Sequence, residues 1–369
     1  MSEWKTTELG NVITLKRGYD LPQQKRKPGL IPIFSSSGVS GSHNTAMVKA
    51  PGVITGRYGT IGQVFYADTD FWPLNTTLYL EDFHGNDPQF IYYFLKTLAW
   101  EKFTSASAVP GINRNTVHKE IVRIPDVETQ RIIAKYLLLI DEKIKNNEQI
   151  NDNLQRQAAT IFRQWFVANP ESEKWPLVML DSLTSLVSRG IAPKYTDDST
   201  QIVLNQKCIR DHYIDISLAR QHKPKVINEK WLKYGDLLIN STGEGTLGRA
   251  AQVWFIPENM TVDSHVTIVR PKNQLLLFYI GLWGISHERE IEALHTGSTG
   301  QTELPRERVK AMELRQPDND TLARFNSIIK PMVSAIIANQ QENTRLASIR
   351  DSILPKLMSG EIDVSGIQI

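Results

Sequence analysis

Residues 126–168 read DVETQRIIAKYLLLIDEKIKNNEQINDNLQRQAATIFRQWFVA, and residues 318–360 read DNDTLARFNSIIKPMVSAIIANQQENTRLASIRDSILPKLMSG. In steps of four and three the first stretch gives Ile133, Leu137, Ile140, Ile144, Asn147, Asn151, Leu154, Ala158, Ile161 and Trp165. Adding 192 to each number gives Phe325, Ile329, Met332, Ile336, Asn339, Asn343, Leu346, Arg350, Ile353 and Leu357. Eight of the first ten and seven of the second ten are apolar, at the period of a coiled-coil seam. Both seams carry two Asn at the same two steps, which points to an internal duplication.

Each stretch has helix-end chemistry. Asp126 and Asp318 suit N-caps, with Glu128 and Asp320 in the first turn, and Gly360 after Ser359 suits a C-cap. Helices of about forty residues span roughly 60 Å. Each needs a partner, and each is the other's natural partner. A pseudo-twofold arrangement lays them antiparallel, pairing residues whose numbers sum to 490. That register sets Asn147 against Asn343, Asn151 against Asn339, Ile144 against Leu346, Leu137 against Ile353, and Trp165 against Phe325. Asn layers at mid-seam either fix register at a cost in stability or face solvent where the seam drifts outward. Both readings stay open at this stage.

The flanking regions repeat as well. ELGNVITLKRG from Glu8 answers to MLDSLTSLVSRG from Met179, after Trp4 and Trp175. GVITGRYGTIGQVFY from Gly52 answers to GDLLINSTGEGTLGRAAQVWF from Gly235, and NTTLYL from Asn75 to DSHVTIV from Asp263. Helical apolar segments follow, QFIYYFLKTL from Gln89 and LLLFYIGLWG from Leu275, and then Gly/Ser-rich loops. The offset grows from 171 at Trp4/Trp175 to 186 at Gly59/Gly245 and 192 at Val117/Val309. The second copy has therefore gained loop residues, mostly near Ala192–Lys230. The expected fold is α+β: two globular domains in pseudo-twofold tandem repeat, joined by two long antiparallel helices forming a coiled coil. Its expected bounds are 1–125 and 169–317 for the globular domains, 126–168 for the first spacer helix, and 318–369 for the second helix and tail.

Bulk composition decides little. Over 369 residues the chain is 41% hydrophobic with a net charge of +2, so any nucleic-acid affinity must come from local clusters. A single cysteine, Cys208, excludes an intramolecular disulfide and a cysteine-based zinc site. The start MSEWKTTELG shows no secretory pattern, and the longest apolar run, Leu275–Trp283, is too short to span a bilayer. A cytoplasmic protein is expected.

The search for catalytic chemistry yields almost nothing. Gly243 to Gly248 matches G-x-G-x-x-G, but its repeat partner, Gly56 to Gly62, runs into a strand, QVFY, rather than a helix that would hold a pyrophosphate. A glycine-punctuated hairpin is the expectation. No phosphate-binding G-x-x-x-x-G-K-[ST] loop and no Asn/Asp-Pro-Pro-aromatic tetrapeptide is present. The eight His show no metal-ligand spacing, and most are expected at the surface. A non-catalytic chain with no cofactor or metal of its own is expected.

Binding signals are modest and repeat. Lys16, Arg17, Lys25, Arg26, Lys27, Lys223 and Lys225 put cations in expected loops. Arg57 and Tyr58 stand at the first hairpin tip and Arg249 beside the second. Asn113, Arg114, Gln301, Arg306 and Arg308 fall in the Gly/Ser-rich segments, and Arg189 precedes the glycine of SLVSRG, the second copy's counterpart of ITLKRG. Arg, Asn and Gln read base edges by paired hydrogen bonds, whereas Lys mostly meets phosphate. Singly, each is more readily an ordinary surface residue than a DNA contact; two copies on a helical spacer make the stronger case.

With these residues in hand, the chain resembles the specificity subunits of Type I restriction–modification systems. The resemblance lies in the order globular–helix–globular–helix, IPDVETQRIIAKYLLLIDEKI from Ile124, IFRQWFV from Ile161, RDSILPKLMSGEI from Arg350, and the twin hairpins. It implies two target-recognition domains, each reading one half-site of double-stranded DNA. The paired helices, with Leu137, Ile144, Asn147, Asn151, Leu154, Ile336, Asn339, Asn343, Leu346 and Ile353 in their seam, would be the spacer. Two modification (adenine-methylating) subunits would dock there and restriction subunits would add to them, with S-adenosylmethionine, ATP and Mg²⁺ on those partners. No membrane is implied. Lys135, Glu142, Arg156 and Arg163 are candidates for partner contact. A Type IIB-like or methylation-only system and a protein-binding coiled-coil adaptor are the alternatives.

Overall fold

Asp126 and Asp318 start the two long helices by the same chemistry. One carboxylate oxygen of Asp126 accepts the Thr129 N–H at 2.9 Å and the other accepts the Thr129 hydroxyl at 2.9 Å. Asp318 repeats both bonds with Thr321 at 2.8 Å. These bonds satisfy helix-start donors that have no partner within the helix. The structure, a computed structural model, describes residues 4–104, 111–297 and 302–364.

The first half runs β1 (Trp4–Glu8), β2 (Thr14–Arg17), β3 (Ile31–Ser35), β4 (Gly38–His43), β5 (Gly52–Gly56), β6 (Val64–Ala67), β7 (Trp72–Pro73) and β8 (Thr77–Asp82). Helices α1 (Pro88–Lys96) and α2 (Arg114–His118) follow, and β9 (Ile121–Pro125) leads into the long α3 (Val127–Phe162). After α3 a wider helical turn covers Arg163–Val167. The second half runs β10 (Leu177–Met179), α4 (Leu180–Leu183), β11 (Thr184–Arg189), β12 (Ile202–Leu204), β13 (Ile209–Arg210), β14 (Tyr213–Ile214), β15 (Arg220–Gln221), β16 (Leu237–Asn240), β17 (Ala250–Gln252), β18 (Met260–Val262) and β19 (Val266–Pro271). It closes with α5 (Leu277–Ser286), α6 (Glu288–Ala293), α7 (Arg306–Lys310), β20 (Glu313–Arg315) and the long α8 (Asn319–Ser359). Gly360 then takes φ +76°, the left-handed position that ends helices.

The duplication extends to sheet topology. Order β2-β8-β5-β6 recurs as β11-β19-β16-β17, β4-β3-β7 as β15-β12-β18, and β1-β9 as β10-β20. Even the mixed pairing recurs, since β3 pairs antiparallel with β4 and parallel with β7, and β12 does the same with β15 and β18. The second half adds the β13–β14 hairpin, within the Ala192–Lys230 region that carries the extra residues.

The chain divides into two compact units. One comprises residues up to Asn146 together with those from Glu342 on; the other comprises Asn147–Gln341. Each long helix therefore contributes one part to each unit. In the first unit Ile133, Ala134 and Leu137 of α3 and Leu354, Leu357 and Met358 of α8 join Leu9, Ile13, Phe90, Phe94 and Val117 in one buried core. Arg350 donates to Asp141 at 2.6 Å, Tyr93 donates its hydroxyl to the same carboxylate at 2.6 Å, and Asn343 donates to the Ile144 carbonyl at 3.4 Å. Contacts that climb α3 descend α8, so the helices run antiparallel.

The second unit shows the same sense. Asn339 donates to Asn151 at 2.8 Å, and Phe325 packs against Phe166, Trp165 and Phe162 with ring centres 4.7, 5.9 and 6.3 Å apart. Asn151–Asn339 and Trp165–Phe325 are two of the pairs expected from the sum of 490. Asn147 and Asn151 are 1% and 9% exposed, so neither faces solvent. Leu137 and Ile336 are fully buried, while Ile144, Leu154, Asn339, Asn343, Leu346 and Ile353 are half-buried in the seam.

The caps make the helix starts sensitive to acid. Backbone N–H donation from Thr129 holds the Asp126 carboxyl below its usual range, and Thr321 does the same for Asp318. A depressed carboxyl contributes stability that is fully present above the unfolded value, about pH 4, and is lost as pH falls through the folded value. Asp126→Ala should therefore lower the thermal midpoint at pH 7 by about 2–4 °C, as loss of a helix cap does. The gap to wild type should narrow in melts toward pH 3.

Candidate nucleic-acid interface

In the first unit the β5–β6 hairpin projects a glycine-rich tip. A Cβ on Gly56 would lie 1.9 Å from the Thr60 carbonyl oxygen, and Gly59 takes φ +78°, so both positions demand glycine. The tip is not loose. Tyr58 bridges to Gly111, and the Ile112 N–H donates to the Arg57 carbonyl at 3.0 Å. The Arg57 guanidinium lies 4.5 Å from the centre of the Tyr58 ring. Asn113 follows directly and caps α2, accepting the Asn115 N–H at 3.0 Å, and Arg114 is the exposed first residue of that helix. Arg57, Tyr58, Asn113 and Arg114, far apart in the chain, are thus brought together.

Several expected loop cations stand elsewhere. Lys16 and Arg17 are strand residues of β2, not loop residues, because LKR continues the apolar alternation that pairs β2 with β8. Lys16 is tied to Glu81 of that neighbouring strand at 2.5 Å, which raises its pKa. Arg17 is exposed. Lys25 and Lys27 are exposed beside β4, while Arg26 donates to the Ser40 carbonyl at 3.2 Å. The Lys27 N–H donates to Nδ1 of His43 at 3.0 Å.

The second unit repeats the geometry with different side chains. Leu304 N–H donates to the Ser241 carbonyl at 2.8 Å and Thr242 bridges to Glu303. These contacts reproduce Ile112–Arg57 and Tyr58–Gly111, so Ser241–Thr242 occupy the place of Arg57–Tyr58. Gly243 to Gly248 form the hairpin turn and β17 follows, as the repeat predicts. Arg249 is half-buried at the hairpin base. Arg189 ends β11 and is bound to Glu303 at 2.5 Å and to the Leu304 carbonyl at 2.9 Å. Arg306 opens α7, as Arg114 opens α2, and pairs with Glu307 at 2.9 Å. Arg189, Lys230, Glu303, Arg306 and Glu307 line a cleft of about 400 Å³. Arg308 is a helix residue whose guanidinium donates to the Leu294 carbonyl at 3.0 Å. Lys223 and Lys225 are exposed, and Gln301 lies outside the described residues.

Three features escaped the linear reading. First, His43 and His222 are buried, 6% and 1% exposed, rather than at the surface. Each stands at the end of the matching edge strand, β4 or β15, where the following turn covers it. Burial holds the His222 pKa down. Second, Glu81 and Glu303 neutralise cations that sequence presents as free. Third, Arg220 stacks on Tyr195 with its guanidinium 3.7 Å from the ring centre.

Residues 1–156 match the family described as the Type I restriction modification DNA specificity domain. The chain is 25% identical over 311 residues to the Type I restriction enzyme MjaIX specificity subunit of Methanocaldococcus jannaschii, covering 75% of this chain and 69% of that protein. It is 22% identical over 358 residues to the HindI specificity subunit of Haemophilus influenzae, covering 74% and 77%. The first part of the chain thus matches the Type I DNA specificity domain, and the chain as a whole is similar to Type I specificity subunits. Its fold is also that of the crystal structure of a Type I S subunit from M. genitalium, at a TM-score of 0.61 and 15% identity over 99% of this chain and 97% of that one. The family match ends within α3, and the second half of the chain rebuilds the same sheets from a divergent sequence. Among the described residues no helix is long and apolar enough to cross a membrane.

Each recognition fold is pinned by a glycine at the same place. A Cβ on Gly18 would lie 2.2 Å from the Leu74 carbonyl oxygen, and one on Gly190 would lie 1.9 Å from that of Val262. Backbone cannot yield cheaply there. Gly190→Ala should open the second unit and leave the first intact, with Gly18→Ala doing the reverse. Hydrogen exchange read by mass spectrometry distinguishes the two patterns.

Proposed function

We infer that this chain is the DNA-reading subunit of a Type I restriction–modification complex and that each globular unit reads one half of a bipartite target. The observation that carries this reading is the pair of repeated hairpin tips with unlike chemistry, Arg57–Tyr58 in one unit and Ser241–Thr242 in the other. Like backbones holding unlike side chains suit an asymmetric target with two different half-sites. The long helices act as the spacer and as the dock for two modification subunits, to which restriction subunits add. Lys135, Glu142, Arg156 and Arg163 are exposed on α3 and the turn after it, as such a dock requires. Methyl transfer and DNA cleavage, with S-adenosylmethionine, ATP and Mg²⁺, belong to the partners, and the complex works in the cytoplasm. A protein-binding adaptor of the same shape would not lose its partner steeply as salt rises, whereas a DNA reader should.

The test is genome-wide mapping of adenine methylation in cells carrying the partner methyltransferase, with and without this chain. One bipartite motif with a fixed gap should appear only when the chain is present. Arg57→Ala should relax one half-site and spare the other; equal loss at both would sink the two-reader scheme. Deleting one heptad from each long helix removes about 10 Å of helix. That change should shorten the gap of the methylated motif, and an unchanged gap would show that the helices do not set it.

A further inference from the structure

In the second unit a segment after Gly190 lies along the edge strand β15 of the sheet β15-β12-β18. Residues Lys194–Thr196 run beside Gln221–Lys223: the Lys223 N–H donates to the Lys194 carbonyl at 2.8 Å and the Thr196 N–H to the Gln221 carbonyl at 3.2 Å. Tyr195 bridges to His222 between them. His222 is the buried member of this sheet edge. Lys194, Arg220, Lys223 and Lys225 are all exposed on it. Asp197 and Asp198 follow in the next turn, yet neither forms an ion pair with these cations among the described residues.

The arginines of this unit fall into two groups. Arg189, Arg270, Arg306, Arg308 and Arg315 already donate to carboxylates or carbonyl oxygens. Reading a base with any of them requires breaking those bonds first. The Arg220 guanidinium has no hydrogen-bond or ion-pair partner among the described residues, and its carbon lies 3.7 Å from the centre of the Tyr195 ring. The ring limits the orientations of the fork and leaves its N–H edges unspent. Arg163, Arg210, Arg249, Arg289 and Arg324 are equally without a partner among the described residues but have no aromatic shelf there.

We propose that Arg220, held on Tyr195, reads a guanine in the half-site of the second unit, and that this sheet edge faces the major groove to present it. The proposal rests on the DNA-reading role inferred above. The two parallel N–H donors of a guanidinium match the O6 and N7 acceptors of guanine, which face the major groove. Lys194, Lys223 and Lys225 meet the flanking phosphates, which adds affinity without sequence preference.

The test compares methylation motifs written by the full chain with its modification subunit on a randomised duplex library. Arg220→Lys keeps the charge and loses the fork. It should abolish the preference for guanine at one position, a roughly tenfold or greater fall in discrimination. That position should lie in the half-site that Arg57→Ala spares, and the other half-site should be unchanged. Tyr195→Phe should keep the preference and Tyr195→Ala should weaken it at the same position. Lys223→Ala should lower methylation uniformly with the motif intact. An Arg220→Lys motif identical to wild type would overturn the assignment and leave the DNA-reading role standing. A wild-type chain that writes no motif would overturn both.

Discussion

A forty-residue helix with a one-sided apolar stripe has nowhere in water to hide that stripe, and the architecture of each unit follows from this constraint. The stripe of α3 is buried in two portions: Ile133 and Leu137 lie in the core of the first unit, Ala158 and Phe162 in that of the second. The stripe of α8 is divided the other way, with Phe325, Ile329 and Ile336 in the second unit and Leu354 and Leu357 in the first. Burying each large apolar side chain contributes about 1.5–3 kcal/mol. Each core is therefore completed by a helix that the other half of the chain also uses, and neither helix is an appendage.

The polar residues in these seams show how far the copies have diverged. Arg350 occupies the seam step that Ala158 fills in the other helix. In the first unit a partly buried guanidinium at that step is matched by Asp141, which also accepts from Tyr93. In the second unit Ala158 is simply packed. The equivalent tyrosine, Tyr279, donates instead to the Arg315 carbonyl. One backbone plan thus tolerates a charged solution and an apolar one, because each satisfies its own polar groups locally.

The hairpin-tip surfaces diverge by the same logic. Glycines at the hairpin tips and at Gly18 and Gly190 hold the backbone in place, which frees neighbouring side chains to vary without disturbing the fold. Arginine-rich composition is then a poor guide to function. Arg189 and Arg308 spend their donors internally, whereas Arg57 and Arg220 are shelved on tyrosines with no hydrogen-bond or ion-pair partner among the described residues.

The amino-acid sequence by itself determined the helices, their caps, their antiparallel seam register, the twin hairpins and the duplication. All of these are local periodicities, or repeats of them, and a period of 3.5 or 2 is written directly in residue order. The placement of Arg57, Tyr58, Asn113 and Arg114 was half legible, since the repeat marked both segments but not their meeting. Only the tertiary structure decided which cations are spent. Lys16 meets Glu81 across 65 residues, and Arg350 meets Asp141 across 209. It also buried His43 and His222 and stacked Arg220 on Tyr195. Such pairings depend on which strands the topology makes neighbours. That is a property of the closed chain, and no window of residues contains it.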